Sequence, residues 1–330
     1  MKRLPCPYDL PVWVQYALSN GHGPVLTIGQ RLCPTRNLSC FPFEIKVRIR
    51  AGLPASLTAI MIESTFILLK GIGESTERRL WHNGVQNWLT FLACRSLYGI
   101  SAERKSTYDV DIASAIRHLE DRQSRFFARR LKPRDHWRLY DAFKSRTVYL
   151  DLETTGGTPD HGEVTVVGLY GNGRMTSLVR GESLTEERLN QELSRYDLLV
   201  SFFGSVFDLP FLRAKYPGLV LDQPHIDLCF AARRLGLRGG LKHIETLAGI
   251  ERQSEVRGLD GWDAVRLWHA WRAGDARALD VLLRYNESDT RNLEPLAERI
   301  YSQLAERHGP APALTPFSEG DSPGWTRTAL

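Results

Sequence analysis

The stretch that most constrains this chain is a short apolar run that ends in two acids. Residues 148–150 are typical of a buried β-strand, and Asp151-Leu152-Glu153 follows directly. Residues two apart share one face of a strand, so Asp151 and Glu153 project together while Leu152 points into the core. Neighbouring carboxylates repel each other unless a cation lies between them. The pattern therefore predicts a metal site at the end of a strand.

The composition is that of an ordinary globular protein. The chain has 330 residues, of which 42% are hydrophobic and 25% are charged, enough for one large domain or two smaller ones. No apolar run approaches the ~20 residues that a membrane helix needs. The five cysteines form no C-x-x-C pair, which does not suggest a disulfide framework. We therefore expect a protein of the cytoplasm with no membrane partner.

Residues 1–60 differ from the rest of the chain. They hold seven of the 43 basic residues but only two of the 38 acidic ones, so the net charge of +5 resides there. Seven prolines and the lack of a sustained period favour a poorly ordered basic segment, although Phe43 to Arg50 alternates weakly as a strand. A basic tail that binds nucleic acid is one alternative. Another is that the segment is not translated natively, because the first regular pattern opens at Met61.

Residues 61–140 are predicted to be a helical region. Within it, Gly71-Ile72-Gly73 and the residues around it resemble a helix-hairpin-helix element. In such a turn the N–H groups of Gly71 and Gly73 can approach a phosphate at a helix N-terminus. Glu77, however, stands where these motifs usually carry a small alanine. A pure packing unit is an equally good interpretation.

Three motifs along the chain, in the order in which a known family carries them, give the clearest resemblance to known proteins. Asp151-Leu152-Glu153-Thr154-Thr155-Gly156 closely resembles the first motif of the DnaQ-like 3′–5′ exonucleases of the ribonuclease H-like superfamily. Residues 207–212 (Phe-Asp-Leu-Pro-Phe-Leu) look like the second motif, and residues 285–289 match the third in its tyrosine form, Y-x-x-x-D. From about Trp137 to Leu304 the chain resembles the YprB-type branch, of the class called DEDDy.

The local patterns agree with the fold that the resemblance implies. We expect an α/β domain over residues 141–310, with a ribonuclease H-like mixed five-stranded sheet flanked by helices, and a disordered tail at 311–330. The remaining strands are predicted at Val164–Tyr170, Met175–Arg180, Leu198–Phe203 and Leu219–Ile226, and the last helix at Asp275–His308. On that helix Tyr285 and Asp289 are i and i+4, so they share a face, whereas Glu287 points elsewhere.

The resemblance also implies the chemistry. Asp151, Glu153, Asp208 and Asp289 would hold two ions, Mg²⁺ or Mn²⁺, in a two-metal hydrolysis of phosphodiester bonds. Asp151 would bridge both ions, Glu153 and Asp289 would serve the nucleophile-side ion, and Asp208 the other. Tyr285 would orient the attacking water.

Nucleic acid, as a DNA or RNA 3′ end, is the expected partner. Besides the two hairpin glycines, the candidate contacts are Thr154, Thr155, Phe207 and Lys242. One departure from the family pattern concerns the asparagine that helps position the substrate strand before the second motif's aspartate. Phe203 and Gly204 occupy the corresponding positions here. A nucleic-acid-binding module with weak or lost catalysis, or a structure-specific endonuclease, are the alternatives.

We expect a chain that lacks residues 1–60 to fold and to keep its activity, because the composition changes sharply before Met61. Its isoelectric point should fall close to neutral, since the surplus of positive charge is removed. Solubility, thermal melting and activity of the truncated and full chains test this expectation. An insoluble or inactive truncated chain beside an active full chain would contradict it.

Overall fold

A computed structural model describes residues 13–19, 22–29, 44–48, 61–252 and 254–311. The first three ranges are strands β1 (Trp13–Ser19), β2 (His22–Gly29) and β3 (Glu44–Arg48), which form an antiparallel sheet in that order. The strand predicted from Phe43 to Arg50 corresponds to β3. β1 and β2 also lie in residues 1–60, where the sequence predicts a poorly ordered segment. The remaining residues of that segment, and nearly all of the tail that is predicted to be disordered, lie outside the described ranges.

The helical region consists of short helices around a shared core. Its elements are a 3₁₀ helix (Met61–Ser64), α1 (Glu74–His82), α2 (Trp88–Ala93), α3 (Ala102–Glu120), α4 (Ser124–Ala128), a second 3₁₀ helix (Pro133–Leu139), α5 (Tyr140–Phe143) and a third 3₁₀ helix (Lys144–Arg146). The chain before the Gly71–Gly73 turn is therefore a single 3₁₀ helix and turns, not the α-helix that the apolar spacing predicts. The physical reason is that the N–H groups of Phe66 and Ile67 donate to the Glu77 carboxylate rather than to helical carbonyls.

A buried ion pair joins this region to the segment that leads into the main domain. The side chains of Glu77 and Arg138 are 1% and 2% exposed, and Nη2 of the arginine lies 2.9 Å from Oε2 of the glutamate. Glu77 also accepts the Phe66 N–H at 2.6 Å. The acid that departs from the hairpin motif thus has a packing role in this chain.

The main domain contains a mixed five-stranded sheet, as predicted. Its strands are β4 (Thr147–Thr154), β5 (Val164–Gly171), β6 (Arg174–Val179), β7 (Leu198–Ser201) and β8 (His225–Asp227), in the order β6-β5-β4-β7-β8. β4 pairs antiparallel with β5 and parallel with β7. The helices are α6 (Glu186–Leu193), α7 (Asp208–Lys215), α8 (Leu228–Arg234), α9 (Leu241–Leu247), α10 (Gly261–Arg272) and α11 (Ala276–His308), with a 3₁₀ turn at Ser254–Val256.

Two predicted strands are longer than the observed ones. The strand predicted at Leu219–Ile226 is limited to β8, because Gly218 and Val220 donate their N–H groups to side chains of α6 instead of to the sheet. β7 ends at Ser201 because Phe203, two residues later, has a left-handed backbone with φ of 63°. The predicted hairpin strands and the last helix match β5, β6 and α11 closely.

The two faces of β4 have different neighbours, as the period of a strand requires. Val148, Leu150 and Leu152 pack in one core with α6 and α7, whereas Tyr149 packs in another with α11. Asp151 and Glu153 therefore lie on the side of the sheet that α11 covers. The described residues include no helix long and apolar enough to cross a membrane.

A glycine on β5 permits α11 to approach the sheet closely. Gly168 is the register partner of Asp151 on β4. A Cβ at Gly168 would lie 2.2 Å from Oδ1 of Asn286 and 2.3 Å from Oγ1 of Thr290, both on α11. A larger residue fits there only if these buried side chains or the helix itself move, so Gly168 permits the close approach of α11 to the acids of β4.

We expect Glu77→Gln to lower the free energy of unfolding by about 3 kcal/mol, because Arg138 would be left as a buried, unpaired charge. Glu74→Gln is the matched control on the same helix. Glu74 pairs with Arg78 and Arg134, which are mostly exposed, so its loss should cost about 0–1 kcal/mol. Urea unfolding of both variants measures the difference. Equal effects would show that the Glu77–Arg138 pair is not what joins the two parts.

Candidate metal centre

Three acidic side chains from β4 and α11 converge in one cluster. One carboxylate oxygen of each of Asp151, Glu153 and Asp289 lies within 4.8 Å of the others. Burial raises the pKa values of Asp151 and Glu153 well above their ordinary range, and the negative charge of Asp289 raises them further. Without a cation, the mutual repulsion of these carboxylates lowers the stability of the folded protein.

The fourth predicted acid, Asp208, reaches the same cleft from the first turn of α7. Its Oδ1 accepts the backbone N–H of Leu152 at 3.1 Å, which ties α7 to β4 between Asp151 and Glu153. The carboxylate is buried, and burial raises its pKa to about 7. Asp208 is not part of the tight three-residue cluster, but it lines the cleft into which the cluster opens.

An amide that the sequence did not single out joins the two acids of β4. Asn286 on α11 is fully buried, and its Nδ2 donates to Oδ2 of Asp151 at 2.9 Å and to Oε1 of Glu153 at 3.5 Å. The amide offers hydrogen bonds to both carboxylates without adding charge. Asn286 precedes Asp289 by three positions, so the helical period could have placed both on one face.

A largely buried arginine contacts the cluster. Arg252 donates from Nη1 to Oδ1 of Asp289 and from Nε to Oε2 of Glu245 on α9, the latter at 2.5 Å. Glu245 is itself held by Asn292 of α11, whose amide lies 3.0 Å from Oε1. The guanidinium thus supplies one positive charge at the edge of the acidic cluster. No periodic pattern marks residue 252, so the sequence gives no signal for it.

Lys242 and Tyr285 form a second contact at the cluster. Nζ of Lys242 lies 3.1 Å from the Tyr285 hydroxyl and also donates to the backbone carbonyl of Leu259. Burial raises the pKa of Tyr285, and the charges of Asp289, Glu153 and Asp151 raise it further. The hydroxyl therefore stays protonated at neutral pH.

The acids open into a cleft of about 360 Å³. Thr154 and Phe207 line it, together with Tyr285 and the exposed Trp262. Among the other sequence candidates, the Thr155 hydroxyl accepts the Glu163 N–H at 2.9 Å and so closes the loop after β4.

The two hairpin glycines are not among the residues that line this cleft. Both lie in the turn before α1, and the Arg104 side chain lies beside Gly71. Glu287 forms a surface ion pair with Arg291 at 2.8 Å, as expected from its direction on the helix.

The comparisons with known proteins concern this domain. A family model described as RNase_H superfamily matches residues 148–301. No curated protein matches the sequence. The fold is ribonuclease H-like.

Several solved structures resemble parts of this chain. The family B DNA polymerase from Pyrobaculum calidifontis matches with 18% identity and a TM-score of 0.40, over 48% of this chain and 25% of the polymerase. Brucella melitensis NrnC with bound Mg²⁺ matches with 24% identity and a TM-score of 0.36, over 51% and 77%. The Aedes aegypti Nibbler EXO domain matches with 15% identity and a TM-score of 0.38, over 52% and 84%. This chain therefore spans about a quarter of the polymerase.

The ribonuclease H-like domain has a steric reason for lacking an asparagine before Asp208. A Cβ at Gly204 would lie 2.0 Å from Oγ of Ser201 and 3.2 Å from Oδ2 of Asp208. Any side chain at that position would collide with the end of β7. The neighbouring position is occupied by Phe203, whose ring lies on the wall of the cleft.

The raised pKa of Asp208 predicts how the stability of the metal-free protein depends on pH. A carboxyl whose pKa is about 7 when folded and near 3.8 when unfolded binds more protons in the folded state, so stability falls as the pH rises from 4 to 7. The full shift corresponds to about 4 kcal/mol. Asp208→Asn keeps an acceptor for the Leu152 N–H but does not titrate, so its stability should fall less over this range.

Urea unfolding in EDTA at pH 4, 5.5 and 8 measures the effect. Asp222→Asn is the control, because this exposed carboxylate pairs only with the surface residue Arg125 at 2.6 Å among the described residues. If Asp208→Asn and the unaltered chain lose stability in parallel, the burial of Asp208 is not the cause.

Proposed function

We propose that this chain is a metal-dependent 3′–5′ exonuclease that hydrolyses the phosphodiester bonds of nucleic acid with two Mg²⁺ or Mn²⁺ ions. The observation that carries the proposal is the convergence of Asp151, Glu153 and Asp289 within 4.8 Å, with Asp208 beside them in an open cleft. Such a site suits the hydrolysis of phosphodiesters, because bound cations would neutralise the negative charge where it develops.

The donor set fits a hard divalent cation. All four acids offer oxygen, the ligand that Mg²⁺ and Mn²⁺ prefer. Burial raises the pKa values of Asp151, Glu153 and Asp208, so ionising these groups costs folding free energy until a cation binds. When bound, the metal supplies a Lewis acid that activates water and stabilises the leaving oxygen.

Tyr285 and Lys242 are suited to position the attacking water. The tyrosine hydroxyl stays protonated, so it is suited to hold the attacking water by a hydrogen bond rather than to remove its proton. Lys242 donates to the same hydroxyl and fixes its direction. Its ammonium group contacts the cleft through Tyr285, which lines it.

A second candidate function is a nucleic-acid-binding module without catalysis. The observation that favours it is Arg252, whose guanidinium already pairs with Asp289. If this ion pair is permanent, the arginine replaces part of the charge of a metal. Binding of Mn²⁺ separates the two proposals. A rise in melting temperature with Mn²⁺ that is absent in Asp289→Asn supports the enzyme, and no shift supports the module.

Substitution of the acids should abolish hydrolysis. We expect Asp151→Asn, Asp208→Ala and Asp289→Asn to lose nearly all activity while remaining folded. Tyr285→Phe should lose ~10- to 10³-fold, as for one positioned catalytic group. The measurement is digestion of 5′-labelled single-stranded DNA and RNA by the full chain, with Mn²⁺ or with EDTA. A ladder that shortens from the 3′ end is expected.

Glu287→Gln is the matched control, because it removes a carboxylate from the same helix on the surface side. Its activity should be normal. A Glu287→Gln defect as deep as that of Asp289→Asn would contradict the assignment of the acids. Internal cuts without a 3′ ladder would indicate an endonuclease instead.

A further inference from the structure

A strained residue stands on the rim of the carboxylate cleft. Phe203 has φ of 63°, a left-handed conformation that costs a bulky residue ~1–2 kcal/mol. Burial in the core does not explain why a phenylalanine stands at position 203, because its side chain is 39% exposed. Strain of this kind persists only where the surrounding structure holds it, and it concentrates at functional sites.

Asp227 at the end of β8 holds the strained loop. Its Oδ1 accepts the Phe203 N–H at 2.9 Å, and its Oδ2 accepts the Ser205 N–H at 3.0 Å and the Ser205 hydroxyl at 2.5 Å. The same carboxylate caps α8 through the Cys229 N–H. The backbone of residues 203–205 is therefore fixed, and the phenyl ring is presented to solvent.

A second exposed ring continues the surface away from the acids. The ring centroids of Phe203 and Phe230 lie 6.1 Å apart at 32°, and Phe230 is also 39% exposed. The guanidinium of Arg233 lies 5.0 Å from the centre of the Phe230 ring. Phe230 also borders a second cavity, of about 420 Å³, whose arginines Arg134 and Arg234 are paired with Glu74 and Asp135. We call Phe203 and Phe230 the aromatic shelf.

The order along this surface matches the parts of a single nucleic-acid strand. Carboxylates suited to a metal come first, then two aromatic faces, then the Arg233 guanidinium beside the second ring. Aromatic faces stack on bases of any sequence, and arginines contact the phosphates between them. A paired duplex does not offer its base faces, whereas an unpaired strand does.

We propose that the aromatic shelf stacks unpaired nucleobases immediately 5′ of the bond that is cleaved, and so selects single-stranded ends. The proposal rests on the proposed nuclease function for the position of that bond. The shelf takes the place of the asparagine that the sequence lacks: aromatic stacking replaces an amide contact in holding the strand.

Binding is tested directly with the full chain in Ca²⁺, using a dT12 oligonucleotide that carries 2-aminopurine at the penultimate 3′ position. Phe203→Gly should weaken binding ~10- to 100-fold, since stacking is worth ~1–3 kcal/mol per base. Its melting temperature should not fall, because glycine adopts the left-handed conformation without strain. Phe203→Trp should retain binding, and Val206→Ala, an exposed aliphatic change in the same loop, should have no effect.

An oligonucleotide with abasic sites at its last three positions decides the mechanism. It carries no 2-aminopurine, so binding of both strands is compared by the fluorescence anisotropy of a 5′ dye. On this strand the unaltered chain and Phe203→Gly should bind equally, because there is no base to stack. An equal loss on normal and abasic strands would overturn the proposal. If Phe203→Gly bound normally but had an altered oligomeric state, the proposal would also be overturned, because the shelf would then be a contact between proteins.

The fluorescence test needs no hydrolysis, so it separates the shelf from the nuclease activity. If the chain cleaves nothing but Phe203→Gly still loses base-dependent binding, the proposed function fails and the shelf stands. If the chain cleaves normally and Phe203→Gly behaves like the unaltered protein on both strands, the shelf is overturned alone.

Discussion

The site depends on one close crossing, that of α11 over the end of β4. Gly168 lets the helix approach, and Asn286 then reaches both Asp151 and Glu153 with one amide. The same crossing brings Asp289 to these acids. Since the three carboxylates repel one another, they stay together only because the surrounding packing holds the helix there. The buried apolar residues of α11 therefore stabilise a charge arrangement that is unfavourable by itself.

The charges around the cluster are partly balanced by the chain. Arg252 pairs with Asp289, and Lys242 stands beside Tyr285. Lys242 belongs to α9 and Arg252 pairs with Glu245 of α9, whereas Asp208 belongs to α7. A divalent ion that binds the cluster must share Asp289 with Arg252 or displace it. The pair with the buried Glu245 anchors the Arg252 guanidinium beside the cluster in either case.

The parts of the site that obey a local period could be predicted from the sequence. Asp151 and Glu153 follow the two-residue period of β4, and Tyr285 and Asp289 follow the helical period of α11. Asn286 follows the same helical period, but an amide carries no charge signal, so the sequence does not single it out. Arg252 could not be predicted, since its contact with Asp289 depends on the path of a loop. The strand predicted at Leu219–Ile226 is longer than β8, because side chains of α6 accept hydrogen bonds from the N–H groups of Gly218 and Val220.

Two aspartates at the same edge of the sheet show why neighbours, not residue type, decide the role of a carboxylate. Asp227 accepts four hydrogen bonds, from Phe203, from Ser205 twice and from Cys229, so both of its oxygens are used within the fold. Asp208 lines the cleft and accepts the Leu152 N–H through one oxygen. The first carboxylate is therefore suited to hold a strained loop, and the second retains the capacity to bind a cation. The end of β8 thus fixes the rim of the cleft, and the start of α7 supplies its charge.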